Sequence, residues 1–281
     1  MTRRTDGTAG ENRDEGPGPD GAASSSRVRA GRGADPPHLA RGDDTSPLGS
    51  ALAELESGCG LLVTGDAPTA AFRVATSRYF GVPSRRRRRL LCLTNPPART
   101  DAWLPGAVTA AHDDAAAVRL GPADPRSASG DVRGDGRAHG PGDDRAVDRL
   151  RTDDAGPVRE ALFGRLDALA GSEGSLDRLE LRVGLFRVDQ LRHRLGDDAA
   201  DALLRELAAA TRDRGGLAHF HLPRPVSDVD APRDDPVVGD VTDALGDAVD
   251  AVVQLRGGAD GVPEERWSID GWGVTEWSRL G

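Results

Sequence analysis

Gly60-Leu61-Leu62-Val63-Thr64-Gly65-Asp66 is an unbroken apolar run that stops at a glycine and an aspartate. A strand with one wet face alternates apolar and polar residues. A run without that alternation belongs to a strand covered on both faces, as in a parallel sheet. A helix is expected directly after it, over about 68–79, with Asp66 or Thr64 as N-cap and Pro68 in its first turn. Arg89-Leu90-Leu91-Cys92-Leu93-Thr94 repeats the buried-strand pattern and is closed by Asn95-Pro96-Pro97. A weaker strand is read at 107–111, and a short helix at 47–56 precedes the first strand.

Further along, Val158, Leu162, Leu166 and Leu169 fall on one face of a helix expected over 157–170. A strand over 179–188 follows. A longer helix over 198–213 puts Ala200, Leu203, Leu204, Leu207 and Thr211 on one stripe, ended by Gly215-Gly216. Strands are expected at 217–222, 248–255 and 264–269, with a helix at 235–246 between the first two. Strand and helix alternate throughout, which predicts an α/β fold: a mainly parallel sheet with helices on both faces. The last two strands are expected to form an antiparallel edge hairpin across Gly257-Gly258.

Residues 1–47 are almost entirely Gly, Pro, Asp, Arg, Ser and Thr, a composition that buries too little apolar area to offset its ordering entropy. They read as a disordered tail. A stretch over about 121–154, centred on Gly130-Asp131-Val132-Arg133-Gly134-Asp135-Gly136, repeats that composition and reads as a disordered insertion within one domain spanning 48–281. The 281 residues contain no lysine, and acidic residues outnumber basic ones 46 to 37 for a net charge of −9. The balance fits an acidic cytoplasmic protein of a salt-adapted organism and argues against a nucleic-acid partner. No secretory signal or membrane span is read. Cys59 and Cys92 each lie inside an apolar run and are expected to be core thiols. Without lysine, neither the usual P-loop nor Schiff-base catalysis can operate.

From Leu55 onward, the order of elements and several local strings resemble a family of proteins from halophilic archaea, itself similar to the RecA/KaiC-type ATPases. The strings are Gly60 to Asp66, Arg89 to Thr94, Leu181-Arg182-Val183-Gly184-Leu185, Gly216-Leu217-Ala218-His219-Phe220-His221-Leu222-Pro223 and Arg266-Trp267-Ser268-Ile269. The resemblance implies a RecA-like sheet whose first strand leads into a phosphate loop, and here that place holds Gly65-Asp66-Ala67-Pro68-Thr69-Ala70-Ala71-Phe72. Only Gly65 matches the template GxxxxGK[ST]. Ala70 stands at the second glycine, Ala71 at the lysine and Phe72 at the Mg²⁺-binding hydroxyl. Pro68 removes a backbone N–H and Asp66 adds a negative charge. Arg73, two residues beyond Ala71 on a helix, points about 200° away from it and is no substitute. Gly65, Asp66 and Thr69 are what remains of the loop. At the end of the strand where active relatives carry the metal-binding aspartate stands Phe186, and a slipped register would offer Asp189.

His219 and His221 project from the same face of one strand near its carboxyl end, with Asp228 and Asp230 on the following loop. A two-histidine metal site for a zinc- or iron-like ion and a hydrogen-bonded pair lying under the loop of Pro223 and Pro225 are both consistent with that spacing. The Arg85 to Arg89 run reads as a solvated loop, and Trp267, Trp272 and Trp277 as capping the core at a sheet edge or meeting a partner. The expectation is a catalytically inactive RecA/KaiC-like domain with a regulatory or scaffolding role and no cofactor. Its partner would be another protein or a second copy of the chain, and membrane, nucleic acid and nucleotide are not expected. A residual nucleotide binder and a metal-dependent enzyme using His219 and His221 remain as alternatives.

Overall fold

The computed structural model describes residues 55, 58–94, 99–121, 147–171, 180–225, 229–258 and 260–280. The strands are β1 (Cys59–Asp66), β2 (Arg88–Thr94), β3 (Ala115–Leu120), β4 (Val147–Leu150), β5 (Leu181–Phe186), β6 (Leu217–Pro223), β7 (Ala251–Arg256), β8 (Glu264–Ile269), β9 (Gly273–Val274) and β10 (Ser278–Arg279). The helices are α1 (Thr69–Phe80), α2 (Ala155–Ala170), α3 (Val188–Leu195), α4 (Asp197–Arg212) and α5 (Pro236–Leu245). All the strands form one sheet in the order β10-β8-β7-β1-β6-β5-β2-β3-β4, with β9 paired to β8. From β7 to β4 every pairing is parallel, and β8 and β10 add an antiparallel edge. The fold is therefore α/β, with the expected hairpin joining β7 to β8.

Alternate residues of each strand face opposite layers. On one side Leu62, Leu90, Cys92, Val183, Leu185, Phe220 and Val252 meet the buried stripes of α2, α3, α4 and α5. The residues expected to line α2 and α4 do so: Val158, Leu162, Leu166 and Leu169, and Ala200, Leu203, Leu204, Leu207 and Thr211, are all buried. The other side is covered by α1, by the segment carrying Trp103, Leu104 and Val108, and at the edge by Trp267 and Trp272. Helices lie on both faces, unequally.

Several boundaries differ from the sequence reading. No strand lies at 107–111, which forms turns; the strand is β3, whose Ala115-Ala116-Ala117 has weak intrinsic strand preference and is held by pairing with β2 on one side and β4 on the other. Residues 147–154 are not part of a disordered insertion. They hold β4 and the approach to α2, where Asp154 caps the helix by accepting from Gly156 N at 2.9 Å. The remainder of that stretch after Gly121, the tail at 1–47, and the helix at 47–56 apart from the buried, helical Leu55 lie outside the described residues. The strand read to 188 ends at Phe186, because Arg187 turns into a left-handed conformation (φ 77) and α3 starts at once. The strand expected from 248 begins at Ala251, after a 3-10 turn at Gly246–Ala248. Neither Asp66 nor Thr64 caps α1: the N-cap is Pro68, with no side-chain cap bond.

Two glycines let β1 run close to β7. A Cβ on Gly60 would sit 1.9 Å from the Ala248 carbonyl oxygen, and one on Gly65 would sit 1.9 Å from that of Leu255. Gly60 is held there by its N–H donating to Asp250 Oδ2 at 2.7 Å and its carbonyl accepting from Asp250 N at 2.8 Å. Gly60→Ala is expected to lower stability by about 3 kcal/mol, the upper end for overpacking. The measurement is the chemical-denaturation midpoint at unchanged slope. A midpoint equal to that of the natural chain would mean that β1 and β7 do not approach this closely.

Candidate functional site

In parallel sheets ligands bind beyond the carboxyl ends of the strands, where the strand order reverses. Here that point is β1, since the chain leaves it toward β2 on one side and later crosses from β6 to β7 on the other. Only Ala67 and Pro68 separate β1 from α1. That leaves two residues, one without an N–H, for a cradle that relies on successive backbone N–H groups. Gly65 is buried, has φ 128, and accepts from Arg224 N at 3.2 Å, so its close packing against Leu255 accounts for it without a ligand. Asp66 ends β1 beside Arg256 and is exposed; Thr69 opens α1 and is exposed as well. Of the three candidate phosphate-loop residues, Gly65 is thus buried against Leu255, while Asp66 and Thr69 are exposed.

What does converge is aromatic. Phe72 is fully buried and lies 6.3 Å from Phe186 and 5.8 Å from His221 between ring centroids. Phe186 in turn meets Trp103 at 4.1 Å and His221 at 6.2 Å. Ala71, at the position the resemblance would give to a lysine, is buried too. A Mg²⁺ ion needs oxygen ligands, and the two positions at which the resemblance would supply them carry phenyl rings whose centroids lie 6.3 Å apart. These residues do not fit the ion. Asp189, the slipped-register candidate, lies in the first turn of α3 and takes both Arg187 Nε at 3.0 Å and Arg187 Nη2 at 2.5 Å. Burial pushes its carboxyl up, but the Arg187 bonds and charge outweigh that and hold it low.

His219 and His221 stand on β6 under α1, both fully buried, with His219 Nδ1 and His221 Nε2 2.8 Å apart. The pair lies against the rings of Phe72, Tyr79 and Phe80. Thr76 Oγ1 donates to Phe72 O at 2.8 Å and sits 3.5 Å from His221 Nε2. His219 Nε2 and His221 Nδ1 have no hydrogen-bond partner. In either neutral tautomer one ring donates to the other, which leaves one N–H and one lone pair unmatched. Burial first, then His221 and Arg182, push His219 well below the usual imidazole range; burial alone pushes His221 down to about 3. Of the aspartates read beside the pair, Asp228 lies outside the described residues and Asp230 is exposed on its loop. Among the described residues no group of three or more His, Cys, Asp or Glu is placed to hold a metal.

Sequence reading missed Gly184, which makes room for the pair: a Cβ there would lie 2.4 Å from His219 Cε1 and 3.0 Å from a Phe80 ring carbon. The available signal was an isolated glycine inside an apolar strand. The Arg85 to Arg89 run is not wholly a solvated loop. Arg85 and Arg86 are exposed, whereas Arg88 and Arg89 belong to β2 and Arg89 is fully buried. Cys59 and Cys92 are free, buried thiols, each pushed up to about 12 by burial and, for Cys59, by Asp250. Trp267 and Trp272 pack at the sheet edge as expected, and Trp277 lies between Arg256 at 4.0 Å and Arg266 at 4.9 Å.

An α/β protein whose central strand opens into a two-residue turn over an aromatic cluster is the class that fold and site define. The chain belongs to DUF7504, a family of unknown function whose model matches residues 58–255. The match runs from the start of β1 nearly to the end of β7, so it takes in the parallel strands and stops before the antiparallel edge. No curated protein matches the chain. Among the described residues no helix is long and apolar enough to cross a membrane.

Two predictions follow from the buried pair. Gly184→Ala is expected to cost about 1–3 kcal/mol through overpacking; in a His219→Ala background, where the ring is gone, the added cost should largely vanish. Equal costs in both backgrounds would contradict the contact. Separately, each histidine is held neutral when folded and has an unfolded pKa near 6.5, so its stability contribution is whole above that pH and is lost as pH falls toward the folded value, about 3 for His221. The expected slope is ~1.4 kcal/mol per pH unit per histidine. Urea denaturation from pH 7 to pH 4 should therefore lose about one proton's worth of slope in His221→Phe. Parallel curves for the two chains would mean that His221 is already charged when folded.

Proposed function

We propose that this protein is a catalytically inactive RecA/KaiC-like domain that works by presenting its surfaces to a protein partner, in a regulatory or scaffolding role. The observation that carries the reading is the Phe72–Phe186 contact at 6.3 Å. Under the resemblance, these are the positions of the metal-binding hydroxyl and the metal-binding carboxylate, which in an active relative face one another across the ion. Their closeness supports the kinship, and their chemistry supports the loss of function. Two further observations favour the same reading: β1 is an interior strand, flanked by β6 and β7, and its connection to α1 opens at the carboxyl edge, where a phosphate loop would lie.

Phosphoryl transfer is catalysed by positioning and by stabilising charge on the transferring group. With alanine for the lysine and phenyl rings for both metal-binding groups, little of that machinery remains. The metal-dependent alternative has less support, because His219 and His221 direct a nitrogen each at the other and not toward a shared point.

The test is phosphate release from ATP and GTP by the full chain at high salt with Mg²⁺. The expected outcome is no turnover above background. Turnover near the ~1 s⁻¹ of an ordinary enzyme would overturn the reading and require arginine chemistry in place of the missing lysine.

A further inference from the structure

We draw no further inference here: the strongest candidate, the side-chain cluster of His219 and His221 buried between β6 and α1 with one ring nitrogen of each unpartnered, belongs to the site already described, where its response to acid is derived.

Discussion

One layer of this sheet depends on α1 lying flat over a buried histidine pair. Among the described residues four of the helices share the other face, and on this side α1 supplies Phe72, Ala75, Tyr79 and Phe80 to the core. Its seat is the His219–His221 pair, with Thr76 above and Gly184 beside it. The same helix ties in the antiparallel edge: Tyr79 donates to Glu265 Oε2 at 3.1 Å, and Arg78 pairs with Glu265 Oε1 at 3.3 Å. Two neutral imidazoles bonded to each other cost less to bury than a charge would, but only while they remain neutral. The layer is thus stable near neutrality and vulnerable to acid.

That packing also governs the chemistry open to the carboxyl edge. With α1 starting two residues after β1, Phe72 is buried against Phe186 and His221, and Phe186 against Trp103, instead of opening toward solvent. An ion or phosphate could enter only by displacing core side chains, at the cost of cavities and rotamer strain. Among the described residues most arginines stand in ion pairs, such as Arg192 with Asp201 at 2.7 Å and Arg165 with Asp148 at 2.8 Å.

Much of this was legible in the sequence. The apolar runs of β1 and β2 and the stripes of α2 and α4 announced themselves because burial on both faces, or on one helix face, leaves a pattern that does not depend on remote residues. β3 did not: Ala115-Ala116-Ala117 becomes a strand through its neighbours β2 and β4, which local preference cannot reveal. The boundary at Arg187 was hidden because a non-glycine residue takes a left-handed conformation there. For the site, the same-face placement of His219 and His221 followed from strand periodicity. Their bond to one another, the room provided by Gly184, and the meeting of Phe72 with Phe186 are tertiary contacts with no spacing signature. The arginine run was read as solvent-facing because five consecutive charges look like a loop, whereas the strand begins inside it.

The central claim is that the place at which the proposed RecA-like kinship would put a phosphate and its metal is core, occupied by Phe72 and Phe186. Phe72→Thr, Phe186→Asp and the double substitution introduce the hydroxyl and carboxylate that the proposed kinship calls for, and their stability by urea denaturation, with and without Mg²⁺, tests the claim most directly. The account predicts a loss of ~3 kcal/mol or more for each single substitution, from the emptied volume and, for the aspartate, from the buried charge, with no recovery on adding Mg²⁺. A double variant that stays as stable as the natural chain and is stabilised further by Mg²⁺ would show a preformed metal site and contradict it.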